Sequence, residues 1–307
     1  MDLIFSHSPS SYVTLILLLF CKGLSGATFT MVNRCSYAVW PGILGNAKLD
    51  STGFELTPGS SRSVQVPPTW SGRFWGRTGC TFDPTTGQGS CTTGDCGSNQ
   101  IECNGLTAKP PATLAEFTTG SGTQDFYDVS LVDGYNLPMI VEPIGGSGTC
   151  LSTGCVTDLN QRCPAELRDQ SGEGCKSACE AFGNPEYCCS GAYATPSTCK
   201  PSVYSEMFKS ACPRSYSYAY DDATSTFTCT GADYTITFCP SVTSQKSARD
   251  ASPTTPTATV NGSSEQQPME EISSWLPNFF TGDSCRILSH SVLRTMLIAS
   301  AVCLIFL

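Results

Sequence analysis

Histidine is nearly absent from this 307-residue chain, and its distribution excludes several kinds of active site. The two histidines, His7 and His290, lie in the terminal segments. The central part of the chain therefore cannot hold a Ser-His or Cys-His catalytic pair, nor a zinc ion bound by histidine. It also lacks a Cys-x-x-Cys spacing, a P-loop and a Gly-x-Gly-x-x-Gly fingerprint. We therefore expect neither a metal nor a cofactor.

Basic residues are also scarce in the central part of the chain. Between Ala27 and Pro240, twelve lysines and arginines stand against twenty aspartates and glutamates, a net charge of -8. This balance argues against binding to nucleic acid and against attraction to anionic lipid as the main driving force. It is compatible with a neutral polysaccharide or a cationic ligand.

Cysteine, by contrast, is abundant. Sixteen of the nineteen cysteines lie between Cys35 and Cys239, and the other three, Cys21, Cys285 and Cys303, lie in or beside the hydrophobic ends. Removal of both ends on maturation would leave an even set, enough for eight disulfides. Such a density indicates an oxidising compartment, and we expect a secreted protein.

Residues 1–26 have the pattern of a secretory signal peptide. An apolar run from Val13 to Phe20 is followed by Lys22 and by the small residues Ser25, Gly26 and Ala27. The run is too short to span a membrane, which takes about 20 apolar residues. We expect cleavage after Gly26 or Ala27, and a retained anchor is the alternative.

Residues 284–307 resemble the signal for a glycosylphosphatidylinositol anchor. Small residues at positions 281–284 precede a polar spacer and a tail that is apolar from Leu297 onward. The alternative is a membrane helix from about Val292, but it would be short of about 20 apolar residues and interrupted by Arg294. We expect an anchor on the outer face of the plasma membrane.

Residues 241–283 form a predicted stalk. The segment is rich in Ser, Thr, Pro, Gln and Glu and poor in large apolar residues, so it cannot bury enough surface to fold. Asn261 begins the single Asn-x-Ser/Thr sequon of the chain, and we expect it to be glycosylated. An unused sequon is the alternative.

Residues 27–240 form the predicted folded domain, which is mainly β. Val64 and Val66 alternate with polar residues, and the segment Tyr234–Cys239 alternates in the same way. Period-two alternation indicates half-buried antiparallel strands, and a sandwich is the natural architecture for them.

Local signals predict where some of the strands begin and end. Gly231 and its neighbours predict a hairpin turn between strands at Phe227–Cys229 and Tyr234–Cys239. Pro41 and Gly42 are expected to stop a first β-rich run.

From about residue 150 to 212 the pattern changes to cysteine, glycine and proline, with short helices predicted at 164–169 and 176–181. Disulfides must replace much of the packing in this segment.

Carboxylates are the chemically active groups that remain. In the predicted strand before Gly134, Tyr127 and Val129 share one face and Asp128 lies on the other, away from the core. Asp133 is expected at the turn that ends this strand. Carboxylates gathered at one end of a sandwich would raise one another's pKa, as a general acid in glycoside cleavage requires. Simple turn chemistry and a solvated strand face are the alternatives.

Five short motifs of the chain point to one known family. The most specific is the segment 87–96, Gly-Gln-Gly-Ser-Cys-Thr-Thr-Gly-Asp-Cys, and the others are Val32–Cys35, Phe74–Cys80, Leu114–Phe117 and Asp125–Asp128. The first closely resembles the signature of the thaumatin-like proteins, plant pathogenesis-related family 5, and the others resemble landmarks of the same family. The resemblance extends from Ala27 to Pro240 and includes all sixteen cysteines in order.

The resemblance implies a flattened antiparallel β-sandwich carrying a disulfide-rich second domain, with a cleft between them. It also implies eight bridges: Cys35 to Cys239, Cys80 to Cys91, Cys96 to Cys103, Cys150 to Cys229, Cys155 to Cys212, Cys163 to Cys175, Cys179 to Cys188 and Cys189 to Cys199.

In antifungal members of the family, the cleft is acidic and binds β-1,3-glucan through an arginine, a glutamate and three aspartates. Carried over by local motif, these are the following residues: Arg73, Glu116, Asp128, Asp133 and Asp222. Counting back from Cys229 favours Asp222 over Asp221 as the last of them. An alternative role for Arg73 is simply to neutralise the acids around it.

The resemblance therefore predicts a monomeric, secreted, antifungal plant defence protein of the apoplast that binds β-1,3-glucan or another fungal cell-wall polysaccharide. A weak endo-β-1,3-glucanase activity would use Glu116 as general acid and an aspartate, Asp128, as nucleophile or base. Two alternatives stay open: a membrane-permeabilising antifungal protein without enzymatic activity, and a cell-surface adhesion or signalling module.

Overall fold

The computed structural model describes residues 26–120 and 122–240. The predicted signal peptide lies outside the described residues except for its last position, and the stalk, Asn261 and the anchor signal lie wholly outside them. Within the described ranges, no helix has the length and apolar character needed to cross a membrane.

The mainly β prediction is confirmed. The described residues contain eleven strands: β1 Thr28–Asn33, β2 Trp40–Gly45, β3 Ser61–Gln65, β4 Ser71–Arg77, β5 Thr81–Phe82, β6 Gly89–Ser90, β7 Leu114–Thr118, β8 Gln124–Ser130, β9 Met139–Ser147, β10 Thr153–Cys155 and β11 Phe227–Phe238. β5 and β6 form a small hairpin, and the other nine strands form one sheet.

The long strand β11 joins the two layers of this sheet. Its first residues, Phe227–Thr230, pair with β8, which continues through β7 and β4 to β2. Its later residues pair with β9 on one side and, in parallel, with β1 on the other, where β3 completes the layer. The predicted sandwich is therefore one hydrogen-bonded sheet that curls at β11.

Aromatic side chains fill the space between the two layers. Phe29 of β1 lies 4.8 Å from Phe74 of β4 and 4.6 Å from Phe117 of β7, measured between ring centroids, although β1 pairs with neither strand. Tyr234 of β11 lies 5.3 Å from Phe29 and 5.1 Å from Phe117. These four rings are at most 3% exposed, so they form a dry contact between layers.

A second face of the β4-β7-β8 layer is only partly covered. Trp75 and Leu114 on this face pack against Cys96, Cys103 and Ala112 in a separate buried cluster. At the far end of β8, Ser130 forms an isolated bridge with Tyr216, which follows the disulfide-rich segment.

The disulfide-rich segment contains short helices and a small core of its own. Its α-helices are α1 Ala178–Phe182, α2 Pro185–Cys188 and α3 Val203–Ala211, followed by α4 Asp222–Ser225, with 3₁₀ turns at Asn160–Arg162, Ala165–Leu167 and Gly191–Tyr193. Leu159, Leu167 and Phe208 are buried together with Cys155, Cys163, Cys175 and Cys212. Disulfides therefore supply much of the buried material here, as the composition predicts.

The described residues contain eight disulfides, and they join the pairs that the family resemblance implies. They are Cys35–Cys239, Cys80–Cys91, Cys96–Cys103, Cys150–Cys229, Cys155–Cys212, Cys163–Cys175, Cys179–Cys188 and Cys189–Cys199. The adjacent Cys188 and Cys189 thus have different partners.

Two local predictions about strands are wrong. The predicted hairpin at Gly231 does not form, because β11 runs unbroken from Phe227 to Phe238. Gly231 lies within this strand in the left-handed conformation (φ 67°), and β9, which pairs with β11 there, also contains glycines. Pro41 does not stop a strand but lies inside β2. It is tolerated there because β2 is an edge strand of the sheet.

The two predicted helices are shorter than expected. The first is a single 3₁₀ turn, Ala165–Leu167, and the second is α1, which begins at Ala178. The Ser177 hydroxyl accepts a hydrogen bond from the Glu180 amide and caps α1, and Gly183 ends it at φ 67°.

We expect the Cys35–Cys239 bridge to contribute more to stability than Cys80–Cys91, because it spans 204 residues instead of 11. In the chain-entropy model, removing the first pair by alanine substitution lowers the free energy of unfolding by about 5 kcal/mol, and removing the second by about 3 kcal/mol. Denaturant titration of the two double variants under non-reducing conditions measures both losses. Equal losses would contradict the entropic explanation.

Candidate functional site

Three of the predicted site residues lie in one row across neighbouring strands. Arg73 of β4 is directly opposite Glu116 of β7, which is directly opposite Asp128 of β8. Strand alternation places their chain neighbours Phe74 and Phe117 in the core, so the row lies on the other face of the layer. Residues directly opposite in antiparallel strands have Cβ atoms about 4.5–5.5 Å apart, so the three side chains are in reach of one another.

Arg73 and Glu116 form an ion pair. The Nη2 atom of Arg73 lies 3.1 Å from Oε1 of Glu116, and the two side chains are 24% and 32% exposed. A pair this open to solvent contributes about 1 kcal/mol or less to stability. Its main effect is therefore to hold the two groups beside each other.

Asp128 carries the most strongly perturbed carboxyl of the row. Its Oδ2 atom is buried and has no hydrogen-bond donor among the described residues. Burial raises the pKa of Asp128 well above its ordinary value, the charges of Glu116 and Asp222 raise it further, and Arg73 opposes them. An unpaired buried carboxyl oxygen is costly unless a proton or a ligand satisfies it.

Asp133 approaches the row from the turn after β8. The turn is closed by a hydrogen bond from the Gly134 amide to the Leu131 carbonyl, and Gly134 has φ 83°. Burial raises the pKa of Asp133, and Arg73 lowers it. For Glu116, burial raises the pKa, Arg73 lowers it, and the charge of Asp133 raises it. Asp133 and Glu116 are therefore electrostatic neighbours around a shared arginine.

The two adjacent acids at the start of α4 have different surroundings. Asp221 lies 2.9 Å from the Lys209 ammonium and accepts two hydrogen bonds from Ser217. Asp222 is exposed and accepts a hydrogen bond of 2.8 Å from the Tyr216 hydroxyl, and its charge acts on Asp128. Asp222 therefore belongs with the charged row, whereas Asp221 holds its own loop together.

Two residues near the row have no counterpart among the sequence predictions. Tyr216 contacts Asp222, and burial together with the charge of Asp128 raises the pKa of its phenol. Glu180 of α1 is electrostatically coupled to Asp133. Neither belongs to a motif with recognisable spacing, since Glu180 comes from the disulfide-rich segment and Tyr216 follows that segment, both far from β7 and β8 in sequence.

The assembled groups define the chemistry that this face can support. The guanidinium donates hydrogen bonds, the carboxylates accept them, and an acid with a raised pKa keeps its proton to a higher pH than an ordinary carboxyl does. Within the described residues, no group of three or more His, Cys, Asp or Glu side chains is arranged to hold a metal ion. The arrangement suits a hydroxyl-rich ligand.

Comparisons with known proteins agree on one family. The thaumatin family model matches residues 33–240. Thaumatin-like protein 1 of Arabidopsis thaliana is 70% identical over 251 residues, which cover 77% of this chain and 96% of that protein. Pathogenesis-related thaumatin-like protein 3.5 of Cryptomeria japonica is 58% identical over 233 residues, covering 74% and 95%. Pathogenesis-related protein 5 of Arabidopsis thaliana is 55% identical over 239 residues, covering 75% and 98%.

The raised pKa of Asp128 predicts how stability depends on pH. The folded state binds this proton more tightly than the unfolded state, so the contribution of Asp128 to stability is most favourable in acid and declines as the pH rises above about 4. We expect Asp128→Asn to raise the melting temperature at pH 7 and to leave it nearly unchanged at pH 3.

Calorimetry at both pH values measures this difference. Asp50→Asn, which removes the same charge from an exposed position, serves as the control and should have little effect at either pH. A variant at Asp128 that is less stable than the wild type at pH 7 would contradict the interpretation.

Proposed function

Because the chain belongs to the thaumatin family, we propose that it is a secreted plant defence protein whose acidic cleft binds β-1,3-glucan and acts against fungi. The cleft consists of Arg73, Glu116, Asp128, Asp133 and Asp222. The observation that carries the proposal is the cross-strand row of Arg73, Glu116 and Asp128, which Asp133 and Asp222 approach from two other segments.

The chemistry of these groups favours a neutral polysaccharide. Each glucose unit offers hydroxyl groups that donate hydrogen bonds to carboxylates, and the buried Oδ2 of Asp128 lacks such a donor. Arg73 can donate hydrogen bonds to sugar oxygens while it holds Glu116 in place. A neutral polymer also meets no repulsion from a domain with net charge -8.

Weak hydrolysis of the glucan is a second candidate activity, and the environment of Asp128 and Glu116 favours it. Burial raises the pKa of both carboxyls, and their mutual repulsion disfavours ionisation of both at once, so one of the pair can hold a proton as general acid while the other is the ionised nucleophile or base. Glu116 and Asp128 are directly opposite each other on neighbouring strands. This register favours a separation of about 5–5.5 Å between the two carboxyl groups, which is typical of retaining enzymes, over the longer separation of inverting enzymes. Release of reducing ends from laminarin, followed by analysis of the anomer formed, tests this activity.

Extracellular location follows from the disulfide content. Eight bridges persist in an oxidising compartment and are rare in the cytosol. We further propose that residues 1–26 direct secretion, that residues 241–283 form a stalk bearing a glycan at Asn261, and that residues 284–307 are exchanged for a lipid anchor.

The anchor has a direct test. Phosphatidylinositol-specific phospholipase C should release the mature protein from plant membranes, because the proposed attachment is a lipid and not a peptide segment. A matched form ending at Pro240 should be found in the medium without the enzyme. Protein that stays in the membrane fraction after complete digestion of a known anchored marker would overturn the proposal.

The glucan-binding proposal predicts the result of a double substitution. Glu116→Gln with Asp128→Asn keeps the shape of both side chains but replaces one acceptor oxygen of each carboxyl by an NH2 donor. Binding to insoluble β-1,3-glucan should therefore fall at least about tenfold, the effect of 1.4 kcal/mol. The control, Asp50→Asn with Glu55→Gln, removes the same charge at exposed positions and should bind like the wild type.

The outcomes of this binding assay separate the competing functions. Equal binding by the double variant and the wild type would remove the cleft from the mechanism. If the wild type binds no glucan but causes leakage from glucan-free fungal lipid vesicles, the membrane-permeabilising alternative is favoured. Absence of both activities would favour the adhesion or signalling alternative.

A further inference from the structure

A second cleft lies beside the five-residue cleft, on the side of Asp133. It has a volume of about 450 Å³, within the usual range for small-molecule sites. Its walls come from the segments around Thr92 and Asp95, from Lys109 to Pro111, and from Asp169, Lys176 and Glu180. None of the motifs carried over from the family resemblance places a ligand-binding residue here.

The two clefts meet at the turn that carries Asp133. Pro111, which lines the second cleft, is followed by Ala112, whose amide donates a hydrogen bond of 3.0 Å to the Asp133 carbonyl. A Cβ atom on Gly134 would lie 2.8 Å from the Cβ of Pro111, so the turn packs directly on the wall of the second cleft. The turn that carries Asp133 therefore borders the second cleft.

Glu180 is the polar group at this junction that lacks a partner. Its Oε2 atom is buried and has no hydrogen-bond donor within the described part of the chain. Burial raises the pKa of Glu180 to about 7, Lys176 opposes the rise, and the charges of Asp133 and Asp169 add to it. The capping bond from its amide to the Ser177 hydroxyl fixes the backbone of Glu180 at the start of α1.

The charges of the second cleft are mixed rather than of one sign. Lys109 lies 3.7 Å from Asp95, and Lys176 stands among Asp169 and Glu180. A balanced set of donors and acceptors attracts neither a free anion nor a free cation strongly. Together with the proline rings of the wall, it matches a sugar, which has polar edges and a less polar face.

We propose that the second cleft is a further sugar subsite, continuous with the five-residue cleft, and that Glu180 is a ligand-binding residue at the junction between them. This inference rests on the proposed glucan-binding function and adds to it a preferred ligand length. Short β-1,3-gluco-oligosaccharides occupy the five-residue cleft alone, and longer ones extend past Asp133 to contact Glu180 and Lys176.

Titration calorimetry with β-1,3-gluco-oligosaccharides of increasing length tests the subsite on the full-length protein. For the wild type, affinity should increase once the oligosaccharide is long enough to reach the second cleft. Glu180→Gln should lose about tenfold in affinity for long oligosaccharides, the effect of one charge-assisted hydrogen bond, and nothing for short ones. Glu206→Gln, an exposed change on α3, should match the wild type at every length.

A second variant keeps the test independent of how Glu180→Gln folds. Lys176→Gln changes a second charged residue that lines the second cleft and should also weaken the binding of long oligosaccharides selectively. One contrary result is glucan binding by the wild type that neither variant changes, and another is binding that both variants weaken equally at all oligosaccharide lengths. Either result would overturn the subsite and leave the proposed function intact. Absence of wild-type binding at every length would overturn both.

Discussion

The fold depends on the pairing of its last strand with strands that are distant in sequence. β11 hydrogen-bonds to β8, β9 and β1, and so belongs to both layers of the curled sheet. Disulfides secure it near both ends, Cys229 to Cys150 and Cys239 to Cys35. Contacts between such distant segments are costly in chain entropy, and the bridges reduce that cost by restricting the unfolded chain. The two layers of the sheet can therefore pack together around an aromatic core of moderate size.

This closed frame allows an unfavourable arrangement of charge to persist at the candidate site. Glu116, Asp128 and Asp133 share a single arginine, and burial raises the pKa of each of the three acids. Like charges held close together would separate in a flexible segment. Here the register of β4, β7 and β8 fixes two of the acids, and the turn at Gly134 fixes the third. The disulfides and the aromatic core offset the stability that is lost by holding these acids close together.

Local patterns were reliable wherever one face of a strand is buried. The alternation in Tyr234–Cys239 and around Asp128 predicted which side chains enter the core, because the period of two leaves one choice once one face is covered. It did not predict that Thr237, on the other face of β11, is buried as well. Turn signals were less reliable. Gly231 and Pro41 are residues typical of turns, yet both lie within strands, one beside the glycines of β9 and the other at a sheet edge.

The amino-acid sequence by itself determined the mainly β class, its even set of cysteines indicated an oxidising compartment, and its family motifs predicted five residues for a ligand-binding cleft. These features follow from composition, short-range periodicity and motifs that are contiguous in the chain. The tertiary structure decided that the charge of Asp222 acts on Asp128 whereas Asp221 pairs with Lys209, that Tyr216 contacts Asp222, and that Glu180 lines a second cleft. Glu180 belongs to the disulfide-rich segment, and Tyr216 and Asp222 follow it, so no local spacing relates these residues to β7 and β8. Their positions are set by long-range strand pairing and by the bridges that fold that segment against the sheet.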